Sequence, residues 1–322
     1  MCSWDPEPTF PDVPLSDVRV LLQYYLGRAA IAMRPIPSYT DTIVVEARRG
    51  NDTVILKASD PEGLDPSRIV LEAWACEQAR TAGVPAPMVL AVDASCSRFP
   101  TPYFLMEKVP GQPLEELALP VEERRAYLHQ MGAMLRRVHD VEVSGYGWLD
   151  ESHYLATGNV RGEHSSWYGA IEHEVGVALD YLLDLHLIDA AGAETIHLLL
   201  ERSAPCLQRW ERSSLLHGDV GLNDLFVGGT GVTGFIDWGN RWAGDPIWDL
   251  VTLDWEGGRD FRWVLEGYDP DVPVNEITEE RLPLYTVFQA VPWAAWCHRR
   301  GHRRPLQVIP SVLRIAHNQL SD

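Results

Sequence analysis

Three aspartates in the second half of the chain have the residue type and spacing needed to hold a metal ion. Asp219 lies in the segment HGDVGLND (217–224), and Asp224 ends that segment. Asp237 follows eighteen residues after Asp219, directly behind the short apolar run VTGFI. Turns between short strands would bring the three carboxylates to one rim, where each disfavours ionisation of the others. A hard divalent cation such as Mg²⁺ would neutralise them, and Mg²⁺ commonly accompanies a nucleotide phosphate.

The choice of basic residues singles out two further positions. Of the 27 basic residues, only Lys57 and Lys108 are lysines. An ammonium is a compact point charge, whereas a guanidinium is a planar fork of donors. The bias toward arginine therefore indicates that either lysine serves a site that needs an ammonium.

Two kinds of periodicity divide the chain. Apolar alternation predicts strands in the first third, and a Pro/Gly-rich segment at 109–113 ends this pattern. Helical periodicity dominates the rest, so the sequence predicts an α+β fold with a β-rich part, residues 1–107, and a mainly helical part, residues 108–322. The predicted strands cover 42–48, 53–59, 88–94 and 102–108, the predicted helices cover 16–33, 66–82, 121–139, 167–187, 190–211, 279–298 and 307–319, and a β-rich insert covers 213–238.

The charge of the chain narrows the classes of partner. With 27 basic and 46 acidic residues, its formal net charge at pH 7 is −19. Such a chain repels nucleic-acid backbones and anionic membrane surfaces, and it attracts small cations. The five scattered cysteines favour a reducing cytoplasm over a disulfide scaffold. We expect no signal peptide and no membrane-spanning segment.

The chemistry-bearing segments match a known pattern. HGD followed at this spacing by IDW resembles the catalytic and metal-binding segments of the aminoglycoside phosphotransferase family, small-molecule kinases that share the protein-kinase-like fold. The strand VILK, which ends at Lys57, is similar to the family's nucleotide-binding strand, and Glu72 matches the ion-pair partner of that lysine. Met106 and Glu107 match the segment that joins the two lobes of the family's fold. The resemblance spans about residues 50–255.

The resemblance implies a two-lobed fold, ATP with Mg²⁺, and a role for each matched residue. Asp219 would orient and deprotonate the substrate hydroxyl, and Asp237 would hold Mg²⁺ on the β- and γ-phosphates. Lys57, steadied by Glu72, would pair with the α- and β-phosphates, and Met106 and Glu107 would contact the nucleotide. GTP remains an alternative donor.

The sequence departs from the family pattern at two places. Five residues after the catalytic aspartate the family has an asparagine as second metal ligand, whereas this chain has Asp224. An aspartate oxygen can also bind Mg²⁺, and a small register shift would bring in Asn223 instead. The loop at 36–41 has no glycine, so we expect Ser38 and nearby amides to contact phosphate in place of a glycine-rich loop.

The acceptor is less well specified than the nucleotide site. Asp254, Glu256 and Asp260 follow the metal segment and could hold ammonium groups, and we expect Asp249 to hold the backbone around His217. We predict an ATP-dependent O-phosphotransferase for a small cationic molecule, with an aminoglycoside or related antibiotic as leading acceptor, as in a resistance kinase. The alternatives are a kinase for a macrolide or another small metabolite, and a non-catalytic kinase-like module that binds a nucleotide or ligand. The predicted enzyme is cytoplasmic and a monomer or homodimer.

Overall fold

The computed structural model describes residues 15–26, 32–38, 42–50, 52–60, 69–209, 211–229, 231–256, 259–269 and 281–321. In chain order, its helices and strands are α1 (Leu15–Leu26), β1 (Ala32–Ile36), β2 (Thr42–Arg49), β3 (Asp52–Ser59), α2 (Ile69–Thr81), β4 (Val89–Asp93), β5 (Tyr103–Glu107), β6 (Gln112–Pro113), α3 (Val121–His139), β7 (Tyr146–Leu149), α4 (Glu151–Thr157), β8 (Gly162–His164), α5 (Trp167–Asp184), α6 (Ala190–Gln208), β9 (Ser214–Leu216), β10 (Leu225–Gly228), β11 (Gly231–Phe235), β12 (Trp242–Gly244), α7 (Ile247–Glu256), α8 (Arg259–Tyr268), α9 (Leu282–Arg299) and α10 (Ile309–Ser321).

The chain forms two compact units. The sheet unit comprises the described residues of Glu7–Val138 together with Gly221–Arg241, and the helical unit comprises His139–Val220 and the described residues of Trp242–Asp322. The short segment 221–241 therefore groups with the N-terminal residues. The division predicted from the sequence, into residues 1–107 and 108–322, stays a prediction.

The sheet unit is built on an antiparallel sheet with the strand order β1-β2-β3-β5-β4. Alternation along β3 assigns its side chains to two faces. Leu56 and Ala58 pack in one cluster with Leu21 and Leu22 of α1. Lys57 lies between them in sequence and therefore points to the other face, where its cross-strand neighbour Phe104 packs against α2.

A second, three-stranded sheet of the sheet unit has the order β11-β10-β6. Strand β10 pairs with β11 from Leu225 to Gly228, and β6 pairs with Phe226 and Val227 on its other side. Gln112 and Pro113 of the Pro/Gly-rich segment at 109–113 therefore pair with β10, the strand that follows HGDVGLND in sequence.

The helical unit surrounds a small antiparallel sheet with the order β8-β7-β12-β9. Helix α5 packs against α6 and α9, and α9 packs against α7 and α10. Strand β9 leads directly into the segment at 217, and β12 leads into α7. No helix in the described part of the chain is long and apolar enough to cross a membrane.

The structure corrects some predicted elements. The helix predicted over 16–33 ends at Leu26, and Ala32 and Met33 belong to strand β1. This strand was not predicted because Pro35 interrupts it, but β1 lies at the edge of its sheet, where proline is tolerated. Helices α7 and α8 were not predicted, and they contain the acidic residues Asp254, Glu256 and Asp260. The other predicted strands and helices are present with shifted ends, as far as the described residues extend.

Candidate active site

Lys57 is at the centre of a charged cluster in the sheet unit. Its Nζ lies 2.7 Å from Oε1 of Glu72 on α2 and 3.0 Å from Oδ1 of Asp237. Lys57 and Glu72 are buried, whereas the side chain of Asp237 is 59% exposed. The structure therefore brings together three of the residues predicted from the sequence, and it leaves one of the two carboxylates open to solvent.

The cluster determines the charge state of the ammonium. Burial disfavours the charged form of Lys57, but the charges of Asp237 and Glu72 outweigh burial and raise the pKa of the ammonium. Burial also raises the pKa of Glu72, against the attraction of Lys57. The protein thus keeps a fixed positive charge inside the sheet unit, which suits the neutralisation of an anion.

Backbone contacts place Asp237 beside β3 and α2. Asp237 has φ +64°, a left-handed conformation that aspartate adopts more readily than most residues. The amide before it, Ile236 N–H, donates to the carbonyl of Asp224, and Phe235 N–H donates to the carbonyl of Pro85. These contacts fix the end of β11 directly before Asp237, so the unusual backbone is held by its surroundings.

Asp224 closes the turn at 221–224 with reciprocal hydrogen bonds. The Gly221 amide donates to Oδ2 of Asp224 at 2.9 Å, and the Asp224 amide donates to the carbonyl of Gly221 at 3.2 Å. Asn223 is exposed in the same turn. Since Ile236 bonds to the backbone of Asp224, the turn and Asp237 occupy neighbouring strand ends of the sheet unit.

In the helical unit, the loop that carries Asp219 is anchored on both sides by α7. Asp249 accepts hydrogen bonds from the amides of His217 and Gly218, each at 2.7 Å, and Thr252 Oγ1 donates to the carbonyl of Val220 at 2.9 Å. Asp219 itself is exposed. The predicted role of Asp249 as a support of the His217 backbone is confirmed. Gly218 has φ +86°, which explains the glycine between the two anchored residues.

Sequence reasoning missed the residues behind Asp249. His139, the last residue of α3, contacts Oδ2 of Asp249 through Nε2 at 3.0 Å and the hydroxyl of Tyr268 through Nδ1 at 2.9 Å. All three side chains are buried. Thr252 was also missed, although its spacing of three residues from Asp249 on a helix gives a usable signal.

The other residues predicted to bind the nucleotide, Ser38, Met106 and Glu107, also belong to the sheet unit. Ser38 is buried and shares a hydrogen bond with Thr42 at 2.8 Å, and residues 39–41 lie outside the described residues. Met106 is half-buried in the cluster on α2, and Glu107 is exposed. Their roles in nucleotide binding stay predictions.

The predicted acceptor residues are in α7 and α8. Asp254 and Glu256 belong to the last turns of α7, and their side chains lie outside the described part of the structure. Asp260 is half-buried in the first turn of α8. Contact of these carboxylates with an acceptor stays a prediction.

The convergence of Asp219, Asp224 and Asp237 on one metal ion stays a prediction. Within the described part of the chain, no group of three or more His, Cys, Asp or Glu side chains is arranged to hold a metal ion. In the sheet unit, Asp237 pairs with Lys57, and Asp224 accepts from the Gly221 amide. Carboxylate oxygens accept from more than one group, so the donor set still fits the oxygen-rich coordination of Mg²⁺.

Comparison with known proteins identifies the family. The profile of the phosphotransferase enzyme family matches residues 33–268, well over half of the chain. The chain belongs to the phosphotransferase enzyme family. The predicted enzyme class, a phosphotransferase, is thereby confirmed.

One curated relative of this phosphotransferase is a much larger protein. Mouse acyl-CoA dehydrogenase family member 10 is 26% identical over 175 residues, which is 53% of this chain. The chain spans only 15% of the length of that relative.

Solved structures of other phosphotransferases share the fold. A thermostable mutant of aminoglycoside phosphotransferase APH(4)-Ia, in ternary complex with AMP-PNP and hygromycin B, superposes with a TM-score of 0.69 at 14% identity over 93% of this chain and 98% of that one. A putative fructosamine-3-kinase from Thermobifida fusca YX-ER1 gives 0.67 at 16% identity over 95% and 99%. The GDP and kanamycin complex of APH(2")-IIia gives 0.68 at 15% identity over 94% and 99%. The predicted α+β, protein-kinase-like fold is confirmed.

Proposed function

We propose that this phosphotransferase transfers the terminal phosphoryl group of ATP to a hydroxyl of a small cationic molecule, with aminoglycosides as the leading acceptor class. The observation that carries the proposal is the buried Lys57–Glu72 pair whose ammonium also contacts the exposed Asp237. Burying an ion pair costs desolvation energy that a hydrophobic pair would not. A buried ammonium can neutralise the phosphates of a nucleotide, and this role explains why the chain keeps the ion pair in spite of its desolvation energy.

The chain's own residues have distinct proposed roles in the reaction. Asp219 accepts the proton of the acceptor hydroxyl. The oxygen of that hydroxyl forms a bond to the γ-phosphorus, and the bond between the γ-phosphorus and the oxygen of the leaving ADP breaks. Asp219 then releases the proton to water. Lys57 neutralises the α- and β-phosphates, and Glu72 keeps its ammonium oriented. When bound, Mg²⁺ supplies charge neutralisation at the phosphates, with Asp237, Asp224 and Asn223 as proposed ligands.

The acceptor class rests on charge and on the structural neighbours. The net charge of −19 attracts cationic molecules. The neighbours include complexes with hygromycin B and with kanamycin, which supports an aminoglycoside acceptor. Putative fructosamine-3-kinases match equally well, so an amine-bearing sugar is the second candidate. The GDP bound in one neighbour makes GTP the second candidate donor.

A transfer screen tests the proposal. Purified protein is incubated with Mg²⁺, radiolabelled ATP or GTP, and each member of a panel of aminoglycosides, macrolides and fructosamines. We expect label to appear in one or more aminoglycosides, with the phosphorylated hydroxyl identified by mass spectrometry and NMR. If label appears only in fructosamines, the acceptors are amine-bearing sugars of that kind and not aminoglycosides. Nucleotide binding without transfer to any acceptor would instead indicate a non-catalytic module.

We also propose that the protein works in a reducing compartment, the cytoplasm. The four cysteines that the structure describes, Cys76, Cys96, Cys206 and Cys297, are all free thiols. Free thiols persist where glutathione and thioredoxin keep them reduced.

We also propose that the protein is a monomer or a homodimer.

Substitution of Asp224 separates its charge from its geometry. In Asp224→Asn, the side-chain oxygen can still accept from the Gly221 amide, so we expect the turn and most of the activity to persist. Because a neutral oxygen binds Mg²⁺ more weakly, the Mg²⁺ concentration for half-maximal rate should rise several-fold. The measurement is the transfer rate against Mg²⁺ concentration.

Asp224→Ala is the companion variant. It removes the acceptor for the Gly221 amide, a contact worth about 0.5–1.5 kcal/mol, and we expect it to lower both the rate and the free energy of unfolding. Loss of all activity in Asp224→Asn with an unchanged fold would contradict the proposed ligand role, since it would give the carboxylate charge another function.

A further inference from the structure

A continuous set of buried hydrogen bonds connects helix α8 to the loop that carries Asp219. Tyr268, the last residue of α8, contacts Nδ1 of His139 through its hydroxyl at 2.9 Å. Nε2 of His139 lies 3.0 Å from Oδ2 of Asp249, and Asp249 accepts from the amides of His217 and Gly218 at 2.7 Å each. All of these residues belong to the helical unit.

The partners of His139 assign a proton to its Nε2. An ionised carboxylate only accepts, and two backbone amides already donate to Asp249. Nε2 of His139 therefore donates to the same carboxylate. When the ring is neutral, its Nδ1 is an acceptor, and the hydroxyl of Tyr268 is the donor within reach.

We propose that Tyr268 is a positioning residue for phosphoryl transfer. Its hydroxyl donates to Nδ1 of His139, holds that ring in the tautomer with the proton on Nε2, and so keeps Asp249 aligned with the amides beside Asp219. This inference rests on the proposed function, because it assigns the general base to Asp219. The contact of His139 with Asp249, and the contacts of Asp249 with the loop, are made within the chain and require no ligand.

The burial of the network makes the hydroxyl of Tyr268 important. Tyr268 is 7% exposed and His139 is 3% exposed, so water has little access to replace a lost donor. The rings of His139 and Tyr268 also pack together, with centroids 5.4 Å apart. The substitution Tyr268→Phe would keep this ring contact and remove the hydrogen bond to His139.

Helix α8 carries both Tyr268 and one of the predicted acceptor residues. Asp260 lies in the first turn of α8, and Tyr268 lies at the other end of the same ten-residue helix. A change in the position of α8 therefore reaches His139 through the hydroxyl and the ring of Tyr268.

The test compares Tyr268→Phe with the wild-type protein. We expect kcat to fall about tenfold and the KM for ATP to change less than twofold, because Lys57 and Glu72 are untouched. Amide hydrogen exchange at Gly218 should accelerate several-fold. In ¹⁵N spectra of the histidine side chains, His139 should lose the pattern of a neutral ring protonated at Nε2.

Tyr103→Phe is the matched control. Tyr103 is also buried and its hydroxyl is also hydrogen-bonded, to Tyr25, but it lies in the apolar cluster on α1. We expect this variant to lose some stability with no change in exchange at Gly218. Equal acceleration at Gly218 in both variants would overturn the proposal, because it would indicate a general loss of stability.

The spectra and the exchange data do not depend on turnover. If the wild-type protein phosphorylates no acceptor, the proposed function fails, and the exchange at Gly218 still decides whether Tyr268 positions the loop. If Tyr268→Phe fails to fold, the ¹⁵N spectrum of wild-type His139 decides alone. A neutral ring protonated at Nε2 supports the proposal, and a proton on Nδ1 overturns it.

Discussion

Asp219→Asn is expected to lower the rate of phosphoryl transfer by about 10²–10⁴-fold, the usual contribution of a general base. Asparagine has the same shape but cannot accept the hydroxyl proton. The side chain is exposed, and Asp249 and Thr252 anchor its loop through the amides of His217 and Gly218 and the carbonyl of Val220. The fold and the binding of Mg·ATP should therefore persist.

Rates and ligand-induced stabilisation are measured on the same preparations. The thermal shift caused by Mg·ATP should match that of the wild-type protein, since the Lys57 cluster is intact. Asp184→Asn, at an exposed position at the end of α5, is a control for the loss of one surface carboxylate. Undiminished turnover in Asp219→Asn would reject the assigned base.

Lys57→Met is expected to reduce both activity and stability. The substitution leaves Glu72 buried at 4% exposure without its cation, and breaking a buried pair in this way costs about 3–5 kcal/mol. Nucleotide phosphates would also lose their fixed positive charge, so we expect kcat/KM for ATP to fall by about 10² or more. Urea unfolding gives the loss of stability, and initial rates give the loss of activity.

A double variant separates the two effects. Lys57→Met combined with Glu72→Gln removes both charges of the pair, so much of the stability should return because Glu72 no longer leaves a buried carboxylate without Lys57. Activity should stay low. Recovery of activity in the double variant would show that Lys57 has no role toward the nucleotide.

The second lysine provides a control for Lys57. Lys108 pairs with Glu46 at 2.6 Å, but its side chain is 43% exposed. An exposed pair contributes about 0–1 kcal/mol. Lys108→Met should therefore change stability little, although it also removes an ammonium.

Local sequence signals were sufficient for part of the site. Alternation and helical periodicity predicted the strand that carries Lys57 and the helix that carries Glu72, because both patterns are set within a few residues. The pairing of the two residues was implied by the family resemblance. The short strands around HGDVGLND and IDW were also predicted. The direct contact between Lys57 and Asp237, 180 residues apart, was not predicted, since no local rule pairs such distant positions.

The support of the catalytic loop could not be predicted to the same extent. His139 and Tyr268 are 129 residues apart, and each is an ordinary residue at the end of its helix. Their roles depend on packing within the helical unit, which periodicity does not specify. Helices α7 and α8 were not predicted because the pair Gly257–Gly258 interrupts the helical pattern in sequence.

The attachment of the Asp219 loop to α7 has a consequence for distant substitutions. Asp249 and Thr252 are three residues apart on that helix, so the loop inherits its position from a rigid element instead of from its own flexible backbone. Gln289 on α9 holds the same helix by donating to the carbonyl of Trp248. Mutational scans of this protein should therefore find residues of the α7–α9 contact that lower turnover without touching nucleotide or acceptor.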